Sequence, residues 1–242
     1  MTLGERMKGY EKLYQQRLLP GTPTVIRLDM RAGHAFCRDL ERPFDETFAD
    51  AMRYAAADMC MQITGAVLAY TQSDEISIVL NHTVDERERQ QFFAGRVSKI
   101  VSVTASMCTL AFNAEFDFRD YRHPNLHWTA QFDSRVFNLP NLQELHNYLV
   151  WRQKDAERNS INMAARAFYS PQELHGKKRA DLHDMLMAKG VNWNNLPDNQ
   201  KRGTTIFKRY EGNRTVWDSG TPCFTQEPDL IARLFENEEA KS

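Results

Sequence analysis

The sequence predicts an α+β fold, a ferredoxin-like or palm β-α-β-β-α-β domain with a helical C-terminal extension and a small C-terminal hairpin. Three observations predict it. Segments rich in β-forming residues occur in the order strand, hairpin, strand; two segments with helical periodicity separate them; and the pattern becomes mainly helical after Pro140. We therefore predict a palm-like catalytic domain over residues 1–140 and a helical region over 141–242 that packs on it.

The first strand is predicted over residues 23–30, PTVIRLDM, where apolar and β-branched residues precede the acidic Asp29. Asp29 would then lie at the end of a buried strand, in a functional loop. A helix is expected over residues 44–63, because apolar residues recur there at steps of three and four and Pro43 precedes them.

A hairpin is predicted next, because two β-rich runs, residues 67–70 and 76–80, flank a five-residue polar group. A long helix is expected from Val84 to about Asn113, since a polar start gives way to an apolar face. Strand character returns in HWTAQFDSRVFNL, residues 127–139. These elements complete the β-α-β-β-α-β order.

The C-terminal part is predicted to begin with two helices, over residues 142–169 and 171–189. Ser170 is a suitable N-cap for the second helix and Gly190 a suitable stop. A hairpin is expected over residues 204–218, because two β-rich runs flank a short polar turn.

The composition, 42% hydrophobic and 11% aromatic, is typical of a globular protein with a sizeable core. The longest mostly apolar stretch, residues 100–112, is shorter than the roughly 20 residues that a bilayer requires, so we predict no membrane contact.

The N-terminus lacks an apolar signal core, which favours a cytoplasmic location. Four scattered cysteines argue against a zinc knuckle and a disulfide framework. With a formal net charge of −1, any RNA partner must bind local basic patches.

Three acidic residues, Asp29, Asp74 and Glu75, are candidate metal ligands. In the predicted sheet the first strand and the central hairpin are neighbours, so these carboxylates could meet at one edge. Two Mg²⁺ ions held there could neutralise charge during phosphoryl transfer. The same residues also fit ordinary turn chemistry, and their spacing alone leaves the function open.

An ordered set of motifs narrows the choice. They are VIRLDMRAGHAF, RPFDE, AYTQSDEISIVL, GRVSKIVS, FDSRVF and YLVWRQKDAERNSI. Over about Pro20 to Arg209, the set resembles the tRNA-His guanylyltransferase family, and within it the bacterial and archaeal guanylyltransferase-like branch. The resemblance implies a nucleotidyltransferase with a palm-like fold that extends the 5′ end of tRNA in the 3′-to-5′ direction. It also implies GTP and ATP as substrates and a homotetramer.

By this resemblance, Asp29 and Asp74 are expected to ligate two Mg²⁺ ions, with the Met30 carbonyl completing the site and Glu75 supporting catalysis. The expected nucleotide contacts are Met30, Arg31, Ala32, Gly33, His34, Arg42, Ser73 and Asp74. The expected contacts to a triphosphate or RNA are Arg96, Lys99, Arg135 and Asn159. Trp151 and Arg152 could also face RNA, and a buried structural role fits Trp151 equally well. Each basic residue could instead form a surface ion pair.

Two departures from the family pattern bear on these expectations. Met30 stands where the family carries glycine, so a positive φ there would be costly, and Gly33 is expected to absorb part of the bend. The segment RNSINMAARAF keeps only a trace of a family motif, in Ser160, Ile161 and Asn162. The weaker motif favours the branch that repairs 5′-truncated tRNAs by template-directed addition.

The expected reaction is attack by the 3′-hydroxyl of an incoming nucleotide on the 5′ α-phosphorus of a tRNA that carries a 5′-triphosphate or has been activated with ATP or GTP. From the triphosphate, the leaving group is pyrophosphate. Two alternatives stay open. A palm-type nucleotidyl cyclase or a conventional polymerase would place carboxylates in the same way. A catalytically silent RNA-binding protein could keep the fold, although the retained carboxylates argue against it.

Overall fold

The computed structural model describes residues 1–81, 91–116, 129–211 and 214–239. Its helices and strands are, in chain order, α1 (Leu3–Lys12), β1 (Thr24–Met30), α2 (Gly33–Phe36), α3 (Glu46–Gln62), β2 (Ala66–Gln72), β3 (Glu75–Leu80), α4 (Val97–Glu115), β4 (Phe132–Asn138), α5 (Leu142–Arg166), α6 (Pro171–Leu174), α7 (Arg179–Ala188), α8 (Asp198–Arg202), β5 (Thr204–Glu211), β6 (Arg214–Gly220) and α9 (Leu230–Glu239). Short 3-10 turns lie at Cys37–Asp39, Phe92–Gly95 and Trp193–Asn195.

The six strands form one antiparallel sheet in the order β4-β1-β3-β2-β5-β6. The four strands of the predicted palm lie side by side with β1 and β3 at their centre, which confirms the α+β fold. The C-terminal hairpin extends the same sheet, because β5 pairs with β2 from Leu68 opposite Phe207 to Thr71 opposite Thr204. The sheet therefore contains strands from both sides of residue 140, and a domain boundary there stays a prediction.

Helices cover both faces of the sheet. On one face α3 and α4 bury Ile26 and Leu28 of β1 together with an aromatic cluster, in which the Phe48 and Phe112 rings lie 5.6 Å apart. On the other face α5 and α9 pack against Val25 and neighbouring residues of β2 and β3. Because side chains alternate along a strand, Arg27 and Asp29 share the face of Val25, toward α5.

Polar contacts also hold α5 on the sheet. Arg152 of α5 donates two hydrogen bonds of 2.8 Å to the carboxylate of Glu75 on β3, and both side chains are 6% exposed. One turn earlier, the hydroxyls of Tyr148 and Ser77 lie 2.7 Å apart. These contacts fix the orientation of α5 as well as its distance from the sheet.

A smaller core forms where the end of α5 meets α7. Ile161 and Leu186 pack there around the buried Trp193. The Trp193 indole Nε1–H donates to the Ser160 hydroxyl at 2.9 Å, so this buried polar group has its partner. Part of the segment RNSINMAARAF is thus a packing surface.

Two predicted elements in the first half of the chain have different bounds. The five-residue loop of the central hairpin was wrong, because Ser73 and Asp74 alone join β2 to β3. The helix expected from Val84 begins at Val97. Phe93 and Ala94, just before it, have left-handed φ values of 50° and 53°, which an α-helix cannot accommodate. The remaining predicted residues before them, 84–90, lie outside the described part of the chain.

The helix predicted over residues 171–189 is two helices, α6 and α7. The chain between them turns at Gly176, whose φ is +75°. The predicted ends were correct: Ser170 caps α6 through a capping box, and Gly190, with φ +76°, follows α7. The periodic pattern was right, but a single glycine interrupts it.

Within the described ranges, α4 is the one helix whose length and composition would allow it to cross a bilayer. In this structure it packs along α3 and β4 in the helical layer, and core helices pass the same test. Leu110 on its outer side is 73% exposed. The expected absence of membrane contact therefore stays a prediction.

Gly203, between α8 and β5, offers a test of the junction that attaches the C-terminal hairpin to the palm. Its φ of +76° and ψ of −173° lie in a region that only glycine occupies readily, and a Cβ there would lie 2.4 Å from the Thr71 carbonyl oxygen. We expect Gly203→Ala to lower the free energy of unfolding by about 3 kcal/mol or more, measured by urea denaturation.

Gly176→Ala is the matched control, because Gly176 has almost the same φ and none of the described residues lies within 4 Å of its added Cβ. That variant should lose only about 1–2 kcal/mol from backbone strain. Equal losses in the two variants would contradict the close approach of Gly203 to β2.

Candidate active site

Two carboxylates meet where β1 ends and the β2–β3 hairpin turns. Asp29, the penultimate residue of β1, is opposite Glu75 on one neighbouring strand and Asp133 on the other. Asp74 lies in the two-residue turn, and its carbonyl oxygen accepts a 3.0 Å hydrogen bond from the Met30 amide. This bond ties the turn to the end of β1, so the structure brings Asp29 and Asp74 to one edge of the sheet.

The loop after β1 bends at Ala32, with φ 55° and ψ 34°. Met30 has no positive φ and is a buried residue at the end of β1. The expectation that Gly33 absorbs the bend was wrong, because the bend lies one residue earlier. Gly33 serves another purpose: a Cβ there would lie 1.8 Å from Asp74 Oδ2, so the bare backbone leaves space for that carboxylate.

The charges around Asp29 are only partly balanced. Burial raises the pKa of Asp29, and the neighbouring Asp74 carboxylate raises it further. Arg27 and Arg135 oppose this rise in pKa, but Arg135 is half exposed and its Nη2 lies 3.7 Å from Asp29 Oδ2. Two carboxylates held this close favour a shared divalent cation.

The donor set fits Mg²⁺. In proteins this ion usually takes one or two carboxylates and completes its shell with water and substrate phosphates. Asp29 and Asp74, with the predicted Met30 carbonyl, match that pattern. The described ranges contain no cluster of three or more His, Cys, Asp or Glu side chains that could hold a metal. The protein alone therefore does not form the kind of complete cage that structural zinc sites use.

Glu75 lies beside the two aspartates, but its carboxylate is already bound. Arg152 contacts both of its oxygens, and Arg27 Nε lies 3.3 Å from Oε2. Burial raises the pKa of Glu75, while the two guanidinium groups act in the opposite direction. In this structure Glu75 thus anchors the hairpin, and each of its oxygens contacts a guanidinium; its catalytic role stays a prediction.

A cleft of about 1070 Å³ opens beside Asp74, between α3 and the second half of α5. Several predicted nucleotide or RNA contacts line it together, namely Gly33, His34, Arg42, Ser73, Asp74 and Asn159. Its wall also includes Arg38, Arg53, Arg166 and Tyr169, which the sequence had not indicated. The volume is at the upper end of the range for small-molecule sites.

The side chains around the loop differ in availability. His34 and Arg42 are exposed, and Arg42 Nη2 donates to the Arg38 carbonyl at 3.2 Å. Phe36, in the same loop, is buried with Phe48 and Phe112. Of these residues, His34 and Arg42 are therefore the ones that can reach a ligand in the cleft.

Arg31 and Arg135 lie on the other side of the carboxylates, toward β4. Arg31 is fixed to Gln131 by two hydrogen bonds of 2.7 Å, one from its backbone amide and one from Nη1. Arg31 lines a shallower groove of about 630 Å³ together with Asp133. Arg135 Nε lies 3.5 Å from Asp133, so this arginine stands between two carboxylates. Neither arginine enters the main cleft.

The structure does not bring Arg96 and Lys99 to this site within one chain. Both belong to the start of α4, where Gly95 accepts a 2.9 Å hydrogen bond from Leu18, near the first residue of β1. Asp29 is at the other end of that strand, which is roughly 20 Å long. Lys99 instead lies 4.6 Å from the Phe93 ring. The expected clamp on a triphosphate is therefore not at the Asp29–Asp74 edge of the same chain, and it stays a prediction.

Asp133 and Arg27 lie beside Asp29, but the sequence did not indicate either of them as a site residue. Both follow from the alternation of side chains along strands: Arg27 shares a face with Asp29, and Asp133 shares one with Arg135. With the strand pairing unknown, that signal could not show that the two pairs lie opposite each other.

Known proteins were compared with the chain. A family model described as tRNAHis guanylyltransferase matches residues 4–140. The tRNA(His) guanylyltransferase of Schizosaccharomyces pombe is 34% identical over 213 residues, which are 83% of this chain and 78% of that protein. A solved bacterial tRNA(His) guanylyltransferase-like protein in complex with ATP has a TM-score of 0.87 and 35% identity, covering 97% of this chain and 99% of its own. A similar bacterial protein in complex with GTP has a TM-score of 0.77 and 34% identity, covering 96% and 98%.

These matches agree with the geometry of the sheet edge and the cleft. The family model covers more than half of the chain, and the similarity to the relatives extends over most of both sequences. The chain therefore belongs to the tRNA-His guanylyltransferase family, whose members are nucleotidyltransferases.

Proposed function

We propose that this chain adds nucleotides to the 5′ end of a tRNA in the 3′-to-5′ direction, with the tRNA as template, using two Mg²⁺ ions. One observation carries the proposal: Asp29 and Asp74 share one sheet edge, next to a cleft large enough for a nucleoside triphosphate. The family assignment supports nucleotide addition at a tRNA 5′ end.

Asp29, Asp74 and the Met30 carbonyl would hold the metal ions. When bound, two Mg²⁺ ions would lower the pKa of the attacking hydroxyl and offset the charge of the leaving pyrophosphate. The protein's own contribution is to keep the two carboxylates together despite their mutual repulsion. The hydrogen bond from the Met30 amide to the Asp74 carbonyl does this, because it ties the turn to the strand.

The cleft is the proposed binding site for the incoming nucleotide, GTP or ATP, and two similar solved proteins are described as complexes with these nucleotides. Arg42 can grip phosphate oxygens from the cleft wall, and its planar guanidinium suits paired contacts. His34, Ser73 and Asn159 line the same wall and could orient the nucleotide.

Burial of part of the segment RNSINMAARAF supports template-directed repair over the addition of one fixed guanylate. Of the motif's trace, Ile161 is buried in the core, and Ser160, which borders the cleft, is 3% exposed and bonded to Trp193. Asn162 is thus the trace residue left to contact a particular tRNA from the cleft. Base pairing within the substrate would then select the nucleotide.

The homotetramer also remains a proposal, as does the cytoplasmic location. None of the residues of α1 is buried against the described part of the chain, and Leu3, Met7 and Tyr10 on it are exposed. If Arg96 and Lys99 do bind a triphosphate, they would have to reach the active site of another copy, since their own is at the far end of the sheet.

The contrast between Asp74 and Glu75 tests the roles assigned here. We expect Asp29→Asn and Asp74→Asn to lower nucleotide addition at least about 100-fold without loss of stability, because they weaken cation binding at the sheet edge. Glu75→Gln should instead lower the free energy of unfolding by about 3 kcal/mol, because it leaves Arg152 buried without its full countercharge.

Activity is measured as incorporation of labelled GTP at the 5′ end of a tRNA lacking its first nucleotide, with Mg²⁺ or with EDTA, and stability by urea denaturation. Asp50→Asn, on the exposed side of α3, is the control for removing an acidic group. Normal addition by Asp74→Asn would sink the proposed metal site. Formation of cyclic nucleotide without RNA would favour a cyclase.

The neighbours Ala32 and Gly33 test the loop geometry. We expect Gly33→Ala to reduce activity more than 10-fold, because the new Cβ overlaps the Asp74 carboxylate and must displace it. Ala32→Gly relieves the left-handed φ and should add about 1 kcal/mol of stability with activity retained. Steady-state addition and thermal unfolding of both variants decide the matter; a Gly33→Ala enzyme with normal activity contradicts this account.

A further inference from the structure

Trp151 on α5 is a large side chain that packing alone does not explain. It is 53% exposed, yet its ring is held in place from several sides. The Arg152 guanidinium carbon lies 4.4 Å from the ring centroid, that of Arg27 lies 6.0 Å away, and the Tyr148 ring is at 5.9 Å. The indole is thus held by its neighbours while about half of its surface faces solvent.

The position of this ring relates it to the carboxylates. Its neighbour Arg27 lies on the same face of β1 as Asp29, two residues earlier. The cleft is lined by Thr71 and Thr204, so it lies on the β2 and β5 side of the hairpin turn. Trp151 lies on the β1 side, outside the cleft. The indole is therefore beside the strand that carries Asp29, and the cleft is on the other side of the hairpin turn that carries Asp74.

We propose that Trp151 is a stacking platform for an unpaired base at the acceptor end of the RNA substrate, an inference that rests on the proposed function. Aromatic rings bind unpaired bases of any identity through their faces, and arginine is the usual companion that contacts phosphate. Arg135, on β4 beside Asp29, is 54% exposed and can take that part. With the incoming nucleotide in the cleft, the RNA end approaches from the Trp151 side.

The chain offers a matched control. Trp217 is 52% exposed but lies on β6, at the opposite edge of the sheet from β4. The two tryptophans thus have equal exposure and different positions. Loss of a surface indole from either should have similar effects on solubility and folding, so a difference in RNA binding reports position.

The test uses the whole protein and a 5′-truncated tRNA, with the dissociation constant measured by fluorescence anisotropy and addition kinetics measured in parallel. We expect Trp151→Ala to weaken tRNA binding about 5- to 150-fold, the range for loss of one base-stacking contact. Trp151→Phe should keep most of the affinity and Trp217→Ala all of it. For Trp151→Ala, the KM for GTP and the kcat at saturating tRNA should stay within about threefold of the wild-type values.

A second arm uses tRNAs with an abasic residue at each unpaired acceptor position. At the stacked position, base removal should weaken binding to wild type and have no further effect on Trp151→Ala. The proposal is overturned if no abasic position weakens tRNA binding to wild type while leaving binding to Trp151→Ala unchanged. It is also overturned if Trp151→Phe binds tRNA as weakly as Trp151→Ala. If wild type adds nucleotides and Trp151→Ala binds tRNA normally, the stacking proposal fails and the proposed function stands. If the binding results are as expected for stacking but wild type adds no nucleotide, the proposed function fails and the stacking proposal stands.

Discussion

The buried ion pair between Glu75 and Arg152 determines how the two halves of the chain meet at the active-site edge. Both side chains are 6% exposed and joined by two hydrogen bonds of 2.8 Å, so removing either one would leave the other buried with less countercharge. Glu75 directly follows Asp74 in the chain and is opposite Asp29 in the sheet. A contact made by a C-terminal helix therefore positions carboxylates that belong to the N-terminal half.

The loop after β1 shows how the chain accommodates methionine at the position where the sequence motif led us to expect glycine. The left-handed conformation lies at Ala32, so Met30 keeps extended backbone and inserts its side chain into the core. Left-handed alanine costs about 1 kcal/mol, which the surrounding packing must offset. Gly33 then allows the Asp74 carboxylate to approach the backbone. Strain and close approach, which one glycine could have combined, are divided here between two residues.

The sequence predicted those features that depend on local pattern. Strand β1 and the β2–β3 hairpin follow from β-forming residues, and adjacency of Asp29 to Asp74 follows from their place in a palm. The partner of Glu75 could not be predicted, because Arg152 is 77 residues away. Helical periodicity put Arg96 and Lys99 on one helix, but α4 begins after Arg96, at Val97. Periodicity also carries no information about which end of the sheet a helix starts from.

The charges at this edge impose an order on binding. Asp29, Asp74 and Asp133 are balanced only in part by Arg135 and Arg27, so the approach of a 5′ phosphate to the bare protein would be opposed electrostatically. Cations held by the proposed ligands would remove that repulsion. Because linkage between two ligands is reciprocal, a bound RNA end would in turn strengthen cation binding. Under the proposed function, bound cations would therefore let a 5′ phosphate approach the edge where it reacts, in a chain whose formal net charge is −1.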